Sequence, residues 1–289
     1  MFLPHRILEY RLLQILAEDI GQGDTTTSLV VKEGTNAQAV VVAKQSGIVA
    51  GIEEATVLLE SLGLASKPLV KDGQEINARQ VLLNISGNAR NILAVERTLL
   101  NLLSRMSGIA SATRNIVEKI NAAKLKTKVA CTRKTAPGSI YFDKKAVQIG
   151  GGDTHRLHLD DLILIKDNHI AIVGSFEKAV AIAKKHASLT KKIEVEVTNI
   201  EDIHQAVESG ADIVMLDNFP LKKVEKAIDL LKKNHLRGKV LLEASGGITV
   251  ENVLEYASTG VDMVSLGELT QSPRALDISL EIIKVSKKV

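Results

Sequence analysis

The chain of 289 residues is poor in aromatic residues and in cysteine. It has no Trp and only 2% aromatic residues, although 45% of its residues are hydrophobic. The core must therefore be built from Val, Ile, Leu and Ala, which buried parallel strands prefer. The single Cys131 excludes an internal disulfide, and no Cys/His spacing suits structural zinc. Both absences favour a reducing, cytoplasmic location.

Long apolar runs and dense basic blocks are also missing from the sequence. No run approaches the length that spans a bilayer, and charged residues interrupt the first 21 residues, which excludes a signal peptide. The formal net charge is +3 and the pI is near 8.8, with Lys scattered and not grouped beside aromatic residues. This pattern disfavours nucleic-acid binding. We expect a soluble protein, with no membrane partner, whose positive charge serves small anions.

Short β-rich apolar runs alternate with helical patterns through the second half of the chain. This alternation predicts a parallel α/β barrel. The predicted strands are seven, namely 128–132, 146–149, 162–165, 193–197, 212–216, 239–243 and 261–265. Because the usual barrel has eight strands, either the barrel is incomplete or one strand escapes the pattern.

The first half has a mixed α+β pattern. We predict helices over 5–18 and 53–62, strands over 37–45 and 81–85, and a long helix from 88 to 123 that bends around Ser107–Gly108. We place the domain boundary near Gly108. The last segment, 275–289, is predicted to be a helix that packs back on the first domain.

Cationic residues follow the predicted strands directly. The segments Thr132–Gly138, Gly150–Arg156 and Ile165–His169 place two Arg, two Lys and His155 at the edge where a barrel keeps its chemistry. They predict an anion pocket. Cys131 is better interpreted as a small strand-end residue than as a nucleophile, because no His or carboxylate follows at a telling distance.

Acids and glycines occupy the same edge. Glu194 and Glu196 share one side of a strand, and Asp217 ends the next strand. These acids could bind a cationic centre, sugar hydroxyls or a metal, and internal ion pairs explain one of them more easily than all three. The turns Glu243–Ile248 and Ser265–Gly267 predict a phosphate cradle, with a plain tight turn as the alternative.

Arg97 falls at the edge of the apolar face of the long helix, a face that carries Ile92, Val95, Leu99, Leu103 and Met106. It either extends to water or faces an interface. Together the residues suit a phosphorylated sugar and a second, strongly anionic substrate.

Several strings resemble quinolinate phosphoribosyltransferase, in that family's order and over nearly the whole chain. They include Glu18–Thr25, Glu96–Asn101, Thr132–Thr135, Gly150–Gly152 with His155–Arg156, Ile165–His169, Leu216–Phe219, Glu243–Gly247 and Ala275–Asp277. The resemblance implies transfer of phosphoribosyl from phosphoribosyl pyrophosphate to quinolinate with decarboxylation. The products would be nicotinate mononucleotide, pyrophosphate and carbon dioxide, in the de novo route to NAD.

The resemblance also implies an architecture and residue roles. The fold would be an N-terminal α/β sandwich domain (1–108, joined by 270–289) and a seven-stranded open α/β barrel (109–269). A homodimer would donate Arg97 across its interface, and Mg²⁺ would arrive with phosphoribosyl pyrophosphate. The catalytic residues would be Lys134, Glu196 and Asp217. The substrate-binding residues would be Arg97, Thr132, Arg133, Lys134, His155, Arg156, Lys166, Glu196 and Asp217. The phosphate-binding residues would be Ser245, Gly246, Gly247, Ser265 and Gly267.

Departures and alternatives accompany the resemblance. Ser139–Ile140 stands where the family usually has a bulky residue and Arg, and Glu268 and Gln271 stand where small residues and His are frequent. A Schiff-base aldolase using Lys134 or Lys166 is an alternative enzyme class. A non-catalytic sensor of phosphoribosyl compounds is the alternative outside enzymes.

Overall fold

A computed structural model describes residues 3–286. The first elements are α1 (His5–Ile20), α2 (Thr25–Val30), β1 (Asn36–Ala43), β2 (Gly47–Ile48), α3 (Ile52–Ser61), β3 (Ala65–Pro68), β4 (Glu75–Ile76), β5 (Val81–Asn88) and α4 (Ala89–Ala122). There follow β6 (Lys128–Cys131), α5 (Ile140–Ile149), β7 (Ile163–Ile165), α6 (Asp167–Val173), α7 (Phe176–His186), β8 (Ile193–Val197) and α8 (Glu201–Glu208). The last are β9 (Ile213–Asp217), α9 (Leu221–Lys233), β10 (Leu241–Ser245), α10 (Val253–Ser258), β11 (Met263–Leu266), α11 (Glu268–Gln271) and β12 (Ile278–Ser286).

The chain divides into two compact units. One comprises residues 1–112, 148–150 and 273–289, and the other comprises 113–147 and 151–272. The first unit contains a four-stranded antiparallel sheet in the order β12-β1-β5-β3 and a two-stranded sheet of β2 and β4. Leu8, Leu12 and Leu16 recur every four residues on α1 and form its buried face.

The C-terminal segment is a strand, so the helix predicted over 275–289 was wrong. β12 pairs antiparallel with β1, from Asn36 opposite Ser286 to Ala43 opposite Ile278. Its β-branched residues favour an extended chain, and β1 offers a free edge with which to pair. Residues 287–289 of the prediction lie outside the described part.

The long helix α4 runs without interruption from Ala89 to Ala122, so it is not broken at Ser107–Gly108. A bend there stays a prediction. Ser107 Oγ bonds the backbone of Ala50, accepting from its N–H at 3.0 Å. A Cβ on Gly108 would collide with the backbone carbonyl of Arg274. This small pair therefore serves close approach of two other segments within the first unit.

The second unit is built on a parallel sheet of six strands in the order β6-β11-β10-β9-β8-β7. One of the seven predicted strands, 146–149, is not a strand but the end of helix α5. A four-residue, mostly apolar run fits a buried strand and a buried helix equally well. Here it continues the buried helical segment that begins before Tyr141, and so it is helical. Asp153 makes a single parallel bridge with Ala130 beside β6. The count of seven strands is therefore not confirmed.

Parallel pairing places the carboxyl ends of all six strands at one edge. The residues after β6, β7, β9, β10 and β11 therefore come together although the sequence separates them by more than a hundred positions. Among residues 3–286, no helix is long and apolar enough to cross a membrane.

Candidate active site

A cavity of about 490 Å³ opens at the carboxyl ends of the strands. Every predicted site residue except Arg97 and Gly267 lines it. The lining comprises Cys131, Thr132, Arg133, Lys134, His155, Arg156, Leu164, Lys166, Glu196, Met215, Asp217, Asn218, Glu243, Ser245, Gly246, Gly247 and Ser265. The cations, acids and glycines of this lining are among those that we predicted to meet at one edge, and all of them belong to the second unit.

Three cations of this cavity, Arg133, Lys134 and Arg156, form no ion pair with any residue of the described range. Burial lowers the pKa of the Arg156 guanidinium, and the positive charge of Arg133 lowers it further. Like charges that face one cavity without partners repel each other, and an anion bound between them would remove that repulsion. The site is therefore suited to a multiply charged anion.

The turn that carries Arg133 and Lys134 is held by hydrogen bonds to both backbone groups of Lys134. Thr132 Oγ1 accepts the backbone N–H of Lys134 at 3.2 Å, and Thr270 Oγ1 donates to the Lys134 carbonyl at 2.8 Å. Gly267 lies beside this turn, since a Cβ built on it would stand 3.5 Å from Lys134 Cδ. Gly267 is thus next to the cavity although it does not line it.

Two acids face the cavity from neighbouring strands. Glu196 on β8 is buried and accepts from Lys166 Nζ at 2.7 Å. Asp217 ends β9, and its Oδ2 accepts from Asn218 Nδ2 at 2.7 Å, which fixes the carboxylate. Glu196 and Asp217 both line the cavity.

Glu194 faces the same side of β8 as Glu196 but serves a different partner. His155 Nε2 lies 3.0 Å from Glu243 Oε2 and 3.3 Å from Glu194 Oε2, and both carboxylates are buried. Burial lowers the pKa of His155, but the hydrogen bonds to Glu194 and Glu243 outweigh it and raise that pKa to about 10. Glu194 with His155 and Glu196 with Lys166 therefore both belong to internal ion pairs.

His155 Nδ1 also lies 2.8 Å from the backbone N–H of Arg156, an arrangement that requires an unprotonated Nδ1. A neutral ring with its proton on Nε2 satisfies both contacts, because Nε2 then donates to a carboxylate while Nδ1 accepts from the amide. The raised pKa favours the imidazolium, in which the carboxylate contacts strengthen at the expense of the amide hydrogen bond.

The glycine turn after β10 has backbone conformations that side chains disfavour. Gly246 has φ +85° and Gly247 has φ +65°. The turn is tied down because Ser245 O accepts from Asn218 N at 2.8 Å and Gly247 O accepts from Asn252 Nδ2 at 3.0 Å. On the neighbouring strand β11, next to Ser245, Ser265 Oγ is buried and has no hydrogen-bond partner within residues 3–286. These groups leave donors for an oxyanion.

Arg97 lies on α4 in the first unit, where its side chain is exposed and the following residues 98–100 are buried. Cys131 lies at the end of β6, and burial raises the pKa of its thiol, which disfavours a nucleophilic role.

Sequence reasoning missed the site roles of two buried residues, Lys144 and Glu243. Lys144 on α5 is fully buried, and its Nζ donates to the Thr154 carbonyl at 2.5 Å. It was hidden because the adjoining residues were interpreted as a strand. Glu243 was assigned to the glycine turn, although its place two residues before Ser245 on β10 indicates the same inward side.

Two family models match the chain, the "Quinolinate phosphoribosyl transferase, N-terminal domain" over residues 24–107 and the "Quinolinate phosphoribosyl transferase, C-terminal domain" over residues 109–281. The chain belongs to the quinolinate phosphoribosyltransferase family. It is 46% identical over 275 residues to a probable carboxylating nicotinate-nucleotide pyrophosphorylase of Methanocaldococcus jannaschii, covering 94% of this chain and 96% of that protein.

A second relative and a solved structure support the assignment of the chain to the quinolinate phosphoribosyltransferase family. The Methanothermobacter thermautotrophicus relative, with the same probable name, is 44% identical over 269 residues, covering 93% of this chain and 96% of that one. The solved nicotinate-nucleotide pyrophosphorylase of Francisella tularensis superposes with a TM-score of 0.87 at 38% identity and covers 98% of both chains. The α/β fold with an N-terminal sheet unit is therefore that of the family.

Two departures from the quinolinate phosphoribosyltransferase pattern have local roles. Ser139 Oγ donates to Asp143 Oδ2 at 2.8 Å, just before and within α5. Glu268 Oε1 accepts from the Val250 N–H at 2.9 Å and so ties the segment after the glycine turn.

Proposed function

We propose that this chain transfers the phosphoribosyl group of phosphoribosyl pyrophosphate to quinolinate with decarboxylation, giving nicotinate mononucleotide, pyrophosphate and carbon dioxide. This reaction is a step of NAD biosynthesis. The observation that carries the proposal is one cavity that joins three unpaired cations, fixed carboxylates and a glycine turn. Family membership supports the same reaction, because the relatives are named as carboxylating pyrophosphorylases.

In our proposal the cationic side binds the two carboxylates of quinolinate. The residues are Arg133, Lys134, His155, Arg156 and Lys166, all of which line the cavity. Guanidinium groups bind planar carboxylates with two parallel hydrogen bonds, which fixes the ring better than an ammonium group does. Thr132 supports this side by holding Lys134.

The acidic side would stabilise the sugar during transfer. As pyrophosphate leaves, positive charge develops at the anomeric carbon, and fixed carboxylates in a partly enclosed site stabilise that charge. Glu196 and Asp217 have this arrangement. A substrate carboxylate that binds Lys166 would replace Glu196 as its partner and leave Glu196 to the sugar.

The glycine turn and its neighbours would hold the 5′-phosphate. Gly246 and Gly247 bring backbone close to the cavity, Ser265 Oγ is an unused donor, and Ser245 and Gly267 flank them. An extra Cβ at this turn would take space from the phosphate.

Decarboxylation would follow transfer. The ribosylated ring nitrogen is cationic, so the electron pair of the breaking carbon–carbon bond stays on the ring carbon as carbon dioxide leaves. A proton then completes that carbon. We propose Lys134 as its donor, since Lys134 lines the cavity.

Mg²⁺ is expected to enter with the pyrophosphate of the substrate. Among residues 3–286, the side chains that lie close enough together to share a metal ion are those of His155, Glu194 and Glu243. This group does not fit a resident Mg²⁺, because Mg²⁺ prefers oxygen ligands and the imidazole ring engages both carboxylates.

We also propose the finer architecture implied by the family resemblance. Asp153 would stand in the place of a seventh barrel strand, since its N–H donates to Val129 O at 2.7 Å. Arg97 would complete the site of a second copy in a homodimer, because an exposed Arg among buried neighbours suits an interface. The domain bounds at 108 and 270 and the cytoplasmic location stay predictions.

A carbon dioxide release assay tests the reaction. With phosphoribosyl pyrophosphate and Mg²⁺, quinolinate labelled in its 2-carboxylate should lose label, and nicotinate should give none because it has no second carboxylate to lose. Binding of quinolinate without release would support the non-catalytic sensor. The aldolase alternative is disfavoured because Lys166 is 42% exposed and paired with Glu196, whereas a Schiff-base lysine is desolvated.

A further inference from the structure

His155 has a backbone conformation that requires outside support. Its φ is +49°, in the left-handed region that residues with a Cβ disfavour. Its N–H donates to Asp153 Oδ1 at 2.8 Å, and the carbonyl of the preceding Thr154 accepts from Lys144 Nζ. The backbone before Arg156 is therefore held from below the cavity.

The side chain of His155 is held from two strands. Glu194 on β8 and Glu243 on β10 are 0% and 1% exposed, and both approach Nε2. Both oxygens of Glu194 and Oε1 of Glu243 have no hydrogen-bond partner in the described residues, so Glu194 meets the ring as an ion pair at 3.3 Å. Burying two carboxylates that are only partly satisfied costs stability, so the fold alone does not account for them.

The residue that follows needs such support. The Arg156 guanidinium lines the cavity without an ion pair, beside the like charge of Arg133. No carboxylate fixes its direction, so its position depends on the backbone of residue 155. An error of about 1 Å at such a group can cost on the order of a hundredfold in rate.

We propose that Glu194 and Glu243 are positioning residues, which hold the His155 ring and thereby direct the Arg156 guanidinium to a carboxylate of the substrate. The inference rests on the proposed function and adds two residues that do not contact the reacting atoms. The carboxylates also keep His155 at the cavity wall.

The test compares variants at Glu243 in the full chain by steady-state kinetics. Glu243→Met keeps the volume but removes the acceptor, and we expect about a tenfold rise in the KM for quinolinate. The KM for phosphoribosyl pyrophosphate should stay within about twofold. Glu243→Gln retains an acceptor, so it should restore most of the affinity. Glu194→Met should act in the same direction.

Glu208→Met is the matched control. Glu208 also pairs with a histidine, His204, at 3.3 Å, but its side chain is 63% exposed on α8. This variant should leave both KM values unchanged. Thermal unfolding of each variant checks the fold, and for the Met variants at Glu194 and Glu243 we expect a lowered midpoint with a cooperative transition, because one carboxylate stays paired with His155 in each of them.

A double-mutant cycle with His155→Asn decides whether Glu243 acts through the ring. In that background Glu243→Met should add less than about twofold to the KM for quinolinate. Additive effects, or an unchanged KM in both Met variants, would overturn the inference. If the parent chain released no carbon dioxide, the proposed function would fail, and quinolinate affinity measured by calorimetry would still test the positioning role.

Discussion

The glycine turn offers a comparison of two adjacent positions that differ in one contact. Gly246 and Gly247 both have positive φ, at +85° and +65°. A Cβ on Gly246 would stand 2.6 Å from Asn218 Cγ and 2.9 Å from Asn218 N, whereas a Cβ on Gly247 would meet nothing within 4 Å. Gly246→Ala therefore adds a collision to a strained conformation, and Gly247→Ala adds the strained conformation alone.

The two costs can be separated. A left-handed conformation costs about 1–2 kcal/mol for Ala, and an overpacked contact costs about 1–3 kcal/mol more. Asn218 cannot move away freely, because its N–H is bonded to Ser245 O at 2.8 Å and its side chain holds Asp217. We expect Gly246→Ala to lose about 2–5 kcal/mol of unfolding free energy and Gly247→Ala about 1–2 kcal/mol.

Urea unfolding measures the stability difference, and steady-state kinetics measure the effect on the site. Both variants should raise the KM for phosphoribosyl pyrophosphate, since both place a methyl group in the cradle proposed for its phosphate. Equal losses of stability would refute the crowding by Asn218. An unchanged KM for phosphoribosyl pyrophosphate in both variants would refute the cradle.

Three further variants test separate parts of the structure. Lys166→Met should raise the KM for quinolinate at least tenfold but cost less than about 1 kcal/mol of stability, since its pair with Glu196 is 42% exposed on the Lys side; urea unfolding and kinetics check both. Arg237→Ala should lower stability by about 1 kcal/mol without changing kinetics, because Arg237 bonds Gly260 O at 2.7 Å away from the cavity lining. For His155, a pKa raised above 6.5 to about 10 means that its stabilising contribution is complete below pH 6.5 and is lost as the pH rises through 10. The difference in unfolding free energy between the parent chain and His155→Asn should therefore shrink across that range, whereas a constant difference would contradict the imidazolium.

Much of the parallel sheet could be predicted because parallel strands buried on both sides have short apolar sequences with clear ends. The run Ile193–Val197 is an observed strand with the same bounds. The pattern failed at 146–149, where four residues fit a helix equally well, and at 275–289, where clustered Lys residues suggested a helix. In both places the partner element decides the structure, and a local pattern does not contain it.

The candidate site could be predicted at the level of which residues meet, because cations after strands must share the carboxyl edge. Sequence could not show what each charge faces. Glu194 and Glu196 are equivalent by spacing, but one reaches His155 and the other Lys166. Lys144 lies on helix α5 and not at the end of a strand, so a search for residues that follow strands does not find it.

The sheet order explains why distant segments form one cavity. β6 lies beside β11, so the cationic turn after the first strand meets Ser265 and Gly267 after the last. β8, β9 and β10 are neighbours, so Ser245 lies opposite Asp217, and Glu196 lies opposite Met215, two residues before Asp217. Acids and glycines thus occupy the middle strands and the cations stand toward both edges. Because unpaired cations repel each other until an anion lies between them, the free energy of that repulsion favours the doubly charged substrate over a monocarboxylate.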